Sequence, residues 1–171
     1  MNLSATTFSL ANARESAAWA QAAYGNGNEI LSPMCSFQLI QGTATDTQLM
    51  VIELFDHIVI AFRGTSDLRD AFTDIQIKRF PISGGSAHVG FVRAILEVMP
   101  RLEAYLATLS TAKPLVITGH SLGGALAALF AYLWELKFRQ IGSIQLFVHR
   151  IAFVYTFGKP RVFNVRLAAP A

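Results

Sequence analysis

Apolar residues fall along this chain in two rhythms. Leu10, Ala13, Ala17, Ala20 and Tyr24 recur every three or four positions, and Gly25-Asn26-Gly27 ends the run. That spacing predicts an amphipathic helix with Trp19 on its flank. Phe91, Ile95, Val98, Leu102 and Leu106 repeat the pattern and predict a long helix, with Pro100 inside it as a source of bending. Other stretches are continuous or alternating and rich in β-branched and aromatic residues. Residues 48–55 and 58–62, joined by Asp56-His57, predict a hairpin, 37–40 a short strand, and 151–157 a last strand. Ser66 or Asp67 is placed to cap a short helix carrying Leu68, Phe72 and Ile75 on one face. Ser83-Gly84-Gly85-Ser86 reads as a loop, and Gly142-Ser143 breaks the pattern before the last strand. Strands alternating with helices predict an α/β layered fold.

The apolar run Pro114-Leu115-Val116-Ile117-Thr118 leads directly into Gly119-His120-Ser121-Leu122-Gly123-Gly124, and an Ala-rich segment follows. This is a Gly-x-Ser-x-Gly elbow between a predicted strand and a predicted helix. Small residues on both sides of the serine let the strand end and the helix start approach closely, leaving the Ser121 hydroxyl at the tip of the turn. The amides that open the helix stand beside it, where they can stabilise an oxyanion.

In enzymes built on this elbow the acid and the base follow the serine along the chain. Here the carboxylate after Ser121 is Glu135 and the histidine is His149. All 11 acidic residues lie at or before Glu135, so residues 136–171 carry basic charge alone. An unassisted hydroxyl is a weak nucleophile at neutral pH. The pattern is a nucleophile without an evident acid or base.

Bulk composition narrows the remaining possibilities. A chain of 171 residues accommodates one domain, residues 1–171, with a sizeable core. A hydrophobic content of 53% and a mean hydropathy of +0.41 are high for a soluble domain. The uncharged run 114–134 is long enough to span a bilayer, but its central glycines and Ser121 suit strand, elbow and helix better. The net charge of +3 is spread out, with no basic run and no interleaved aromatics, which argues against a nucleic-acid partner. Cys35 is the only cysteine, so no intrachain disulfide forms. The first residues show no basic segment followed by an apolar one, an expectation that favours the cytoplasm.

Four segments, in order, resemble the class 3 lipases, the fungal-lipase branch of the α/β hydrolases. They are Ile60-Ala61-Phe62-Arg63-Gly64-Thr65, His88-Val89-Gly90-Phe91, Gly119 to Gly124, and Tyr155-Thr156-Phe157-Gly158-Lys159-Pro160-Arg161-Val162. Thr45-Asp46-Thr47-Gln48 and the first helix are similar as well. The resemblance implies an α/β-hydrolase-like fold with a mixed sheet, incomplete at the C-terminus. It implies hydrolysis of carboxylic esters, such as acylglycerols, through an acyl-Ser121 intermediate. It assigns the oxyanion hole to Thr65 and the backbone amide of Leu122. Residues 66–77 match the family's lid, and no cofactor is implied. The chain departs from the family after Val162, where Phe163-Asn164 replaces Gly-Asn, and the family's acid and histidine lie later than this chain extends. The alternatives are an inactive lipase-like binding or scaffold domain and a non-functional gene fragment.

The other candidate side chains have plainer readings. His149 precedes a strand and stands away from the expected base loop. His120 directly precedes Ser121, so its side chain points elsewhere and packs. His88 reads as a structural hydrogen-bonder and His57 as a hairpin-turn residue. No histidine and carboxylate pair has metal-ligand spacing. Arg63 reads as a buried, paired arginine holding the loop before Thr65, and Trp19 and Trp134 as packing residues. The expected partners are an acyl-ester or lipid substrate, a lipid interface, and a second copy meeting an exposed edge at strand 151–157.

Overall fold

Ser9 opens the first helix: its hydroxyl accepts a hydrogen bond from the Asn12 amide at 3.3 Å. The helix, α1 (Leu10–Ala22), ends in a short 3-10 turn over Ala23–Gly25. The computed structural model describes residues 1–5, 7–25, 36–65, 78–109, 112–141 and 149–164. Its further elements are β1 (Ser36–Gln41), β2 (Gln48–Glu53), β3 (Ile58–Phe62), β4 (Arg79–Ile82), β5 (Gly85–His88), α2 (Val89–Leu106), β6 (Leu115–His120), α3 (Leu122–Ile141) and β7 (Ile151–Phe157). The expected helix at Leu68, Phe72 and Ile75 and the break at Gly142-Ser143 lie outside the described residues.

Five strands form one sheet in the order β1-β2-β3-β6-β7. The first two pairings are antiparallel and the last two parallel, the mixed sheet that the family resemblance implies. Its central strands are apolar without interruption because both faces are covered. Leu49, Val51, Ile60 and Ile117 join a core with α2 and α3, while Met50, Ile52, Val59 and Val116 pack on the side of Ala22 and Ala23. The period of two along each strand thus sorts side chains between two cores. All five residues of the predicted stripe on α2 are buried, with Pro100 within the helix.

Three local expectations are adjusted. The buried face of α1 is rotated toward Asn12, Ala13, Ser16 and Ala20, and Leu10 is 57% exposed. Asn12 can turn inward there because it is bonded, exchanging two hydrogen bonds of 2.8 Å with the Asn2 backbone. The Ser16 backbone carbonyl accepts from the Thr118 hydroxyl at 3.0 Å, while the buried Ser16 hydroxyl has no partner among the described residues. β2 stops at Glu53 rather than Phe55, since the Leu54 amide turns back to the His57 carbonyl at 2.9 Å and leaves Phe55 exposed. Ser83-Gly84-Gly85-Ser86 is the tip of the β4–β5 hairpin, with Gly84 at φ 79° supplying the tight turn. The hairpin is held by the segment after β7: the His88 amide donates to Val162 O at 3.2 Å, and Phe163 bridges Ala87.

Register sets the functional end of the sheet. Phe62, the last residue of β3, pairs with Gly119 of β6, and His120 pairs with Phe157, the last of β7. Three parallel strands therefore release their chains side by side, bringing 63–65, 120–122 and 158–159 to one edge, where α/β folds place ligands.

Candidate active site

Ser121 has φ 54°, a left-handed conformation that costs a non-glycine residue energy. Two hydrogen bonds hold it. Its amide donates to Phe157 O at 2.8 Å, and its carbonyl accepts from the Ala125 amide at 3.2 Å, starting α3. Residue packing explains the glycines around it. A Cβ on Gly119 would collide with the Gly123 carbonyl, and one on Gly123 would collide with Phe62 O and stand 2.9 Å from the Gly64 nitrogen. A Cβ on Gly64 would lie 2.6 Å from His120 O and overlap the Tyr24 hydroxyl. The elbow and the loop after β3 are thus in backbone-to-backbone contact.

That contact brings together the three residues singled out in the sequence. Thr65 follows Gly64, and Leu122 is the first residue of α3, so its amide has no acceptor within the helix. Thr65, Gly64 and Leu122 line a cleft of about 450 Å³ together with Phe91, Ala94 and Leu126. Ser121, directly before the lining residue Leu122, is not itself part of the lining; it is 3% exposed, and among the described residues its hydroxyl has no hydrogen-bond partner. Arg63 also lines the cleft, half-buried rather than fully buried, and is paired as expected, donating from Nη1 to Gln48 Oε1 at 2.5 Å.

The histidines stand elsewhere or bind other groups. His149 is buried, with Nδ1 2.9 Å from Lys113 O, and its carbonyl accepts from Trp134 Nε1 at 3.1 Å. Strands rise about 3.3 Å per residue, which puts His149 more than about 20 Å from the Phe157 end of β7 where Ser121 is anchored. His120 is exposed rather than packed, and its Nδ1 is 3.0 Å from the Tyr24 hydroxyl. His88 stacks on Phe91 with ring centres 4.6 Å apart. His57 is buried in the β2–β3 turn, 2.6 Å from Asp56 Oδ1, and this bond lowers the Asp56 pKa. Among the described residues no group of three histidine, cysteine or carboxylate side chains converges as a metal site.

Two contributors escaped the sequence reading. Tyr24 was legible only as a helix-face residue, yet its hydroxyl bridges α1 to the elbow; burial raises its pKa, and the charge of Arg63 partly opposes this. Glu97 carries no motif at all. From α2 it binds the loop before β2, accepting from the Ala44 amide at 2.8 Å and from the Thr45 amide and hydroxyl at 3.0 and 2.6 Å. These bonds, led by that from Ala44, hold its pKa below the ordinary value.

The family model described as Lipase (class 3) matches residues 59–170. The chain belongs to the class 3 lipases. A lipase of Rhizomucor miehei is 35% identical over 111 residues, which is 61% of this chain and 29% of that one. Secreted mono- and diacylglycerol lipase 1 of Fusarium solani is 34% identical over 114 residues, 63% of this chain and 31% of that one. This class 3 lipase chain thus spans less than a third of the length of those curated relatives. Among solved structures, the native Rhizomucor miehei lipase propeptide complex aligns with TM-score 0.68 and 26% identity, covering 92% of this chain and 53% of that one. The lipase from Rhizopus microsporus var. chinensis aligns with TM-score 0.68 and 25% identity, covering 95% and 62%. The α/β-hydrolase fold expected from the motifs is the fold of these lipases.

Proposed function

We propose that this class 3 lipase domain hydrolyses carboxylic esters of lipid type through an acyl-Ser121 intermediate. The observation that carries the reading is the strained Ser121 turn, locked against the Gly64 corner by a glycine contact too close for any side chain. In the proposed reaction the Ser121 oxygen attacks the ester carbonyl. Negative charge grows on the carbonyl oxygen, and the Leu122 amide with Thr65 receives it. The alcohol leaves, and water then releases the acid and restores the serine. The base that takes the serine proton comes, in this reading, from outside the described residues.

Incubation of the chain with 4-nitrophenyl butyrate, compared with Ser121→Ala, tests the proposal. Ser121-dependent release of nitrophenol, with labelling of Ser121 by a fluorophosphonate, supports it; equal rates and no labelling sink it. That the Ser121 hydroxyl has no hydrogen-bond partner among the described residues favours a second reading, a lipid-binding domain without turnover. That domain would bind a non-cleavable ether lipid while leaving the probe unreacted.

We also propose that a lipid surface and a second copy are partners. β7 has a strand neighbour on one side among the described residues, and Val154 on it is 37% exposed. An apolar edge of this kind pairs readily.

A further inference from the structure

The cleft beside Thr65 is lined by two chemically different kinds of residue. Phe91, Ala94, Leu122 and Leu126 supply apolar surface suited to an acyl chain. Arg63 and Arg93 line the same cleft, and Asp46 is the one carboxylate among the described lining residues. Asp46 Oδ1 accepts from Gln41 Nε2 at 3.2 Å. Arg63 is held by the neutral amide of Gln48, and among the described residues neither arginine is in an ion pair. A guanidinium bonded to a neutral acceptor keeps its whole charge, and covering it with an uncharged ester would remove water without supplying a counter-charge. Gly90 and Phe91, in the first turn of α2, also line the cleft; the helix has no side-chain cap, and its Val89 amide donates to the Lys78 carbonyl at 3.0 Å.

We infer that the two arginines of this cleft receive an anionic group, phosphate or carboxylate, borne by the ester whose acyl chain lies on its apolar residues. The guanidinium fork of Arg93 meets the two oxygens of such a group, and Arg63, two residues before Thr65, fixes it close to the reacting carbonyl. The substrate class is then an acyl ester with a negatively charged substituent, rather than a neutral acylglycerol. The inference rests on the ester-hydrolase reading for which bond is cut, but the binding preference can be measured apart from it.

The test is calorimetric titration of the Ser121→Ala chain at low salt with three short-chain probes: 1-hexanoylglycerol, its 3-phosphate, and the hexanoyl ester of glyceric acid. At least one anionic probe is expected to bind about tenfold tighter than the neutral one, and the tighter of the two names the group. In Arg93→Gln, on the exposed face of α2, that preference is expected to fall to about threefold or less, and to vanish in Arg93→Glu. Circular dichroism of each variant checks that the fold is kept. Equal affinity for all three probes overturns the inference, as does a preference unchanged in both Arg93 variants and in Arg63→Gln. If the preference is present but the unmodified chain cleaves no ester, the hydrolase reading fails and the binding inference stands. If a neutral ester is cleaved through Ser121 and no preference exists, only the inference fails.

Discussion

The Gly123 Cα rests against the backbone of Gly64, so closely that a methyl group there would stand 2.9 Å from the Gly64 nitrogen. This contact joins the turn that carries Ser121 to the loop that carries Thr65. Gly123→Ala must push the two apart, because backbone atoms cannot rotate away as a side chain can. The expected cost is about 1–3 kcal/mol of stability, read as a lower urea midpoint with an unchanged slope. Fluorophosphonate labelling of Ser121 should fall further than stability alone accounts for.

Thr65 tests the oxyanion assignment. In the proposed reaction Thr65→Val keeps the shape of the corner and loses a hydroxyl donor. The expected loss is about 100–1,000-fold in kcat with little change in KM, since the bond forms mainly in the transition state. Comparable losses in both constants, or none, would show that the corner does something else.

Glu97 supplies an acid-sensitive support for the cleft wall. Its folded pKa lies below the ordinary 4.5, because the Ala44 amide and the Thr45 hydroxyl and amide bind the charged form. The stability this contributes is full above the unfolded value and is lost as pH falls through the folded one. Thermal midpoints of the parent and Glu97→Gln, measured from pH 6 down to pH 3, should therefore converge on acidification, with the parent more stable at the upper end. A constant gap across that range would contradict the assignment.

Phe130, fully buried, stacks between Phe62 at 5.6 Å and Trp134 at 5.4 Å. It ties α3 to the strand that ends at the oxyanion corner. Phe130→Ala leaves a cavity there and is expected to cost about 3–5 kcal/mol, measured by denaturant unfolding.

Val154→Lys addresses the proposed edge pairing. Light scattering should show association of the parent chain rising with concentration, and the lysine should suppress it by placing a charge on the edge strand. A parent that stays monomeric at high concentration removes the pairing proposal.

Much of this architecture was present in the residue pattern. The spacing of Phe91 through Leu106 marked α2, because burial imposes a period on a helix with one wet face, and the β-rich apolar run 151–157 marked β7. The elbow was visible for another reason: a sharp strand-to-helix turn tolerates few side chains, so Gly119, Gly123 and Gly124 had to be small. The rotation of α1 was not visible, since Asn12 turns inward only after Asn2 arrives as its partner.

Local sequence could name Ser121 as a candidate, because a strand-to-helix turn is a short-range property written in neighbouring residues, and the resemblance to the class 3 lipases added Thr65 and Leu122. Their convergence is long-range. It depends on Phe62 pairing with Gly119 across a parallel register and on Gly123 closing against Gly64. The support from Tyr24 and Glu97, and the presence of Arg63 and Arg93 in one cleft, belong to folding alone: residues far apart in the chain acquire a common environment only when packing selects which faces meet.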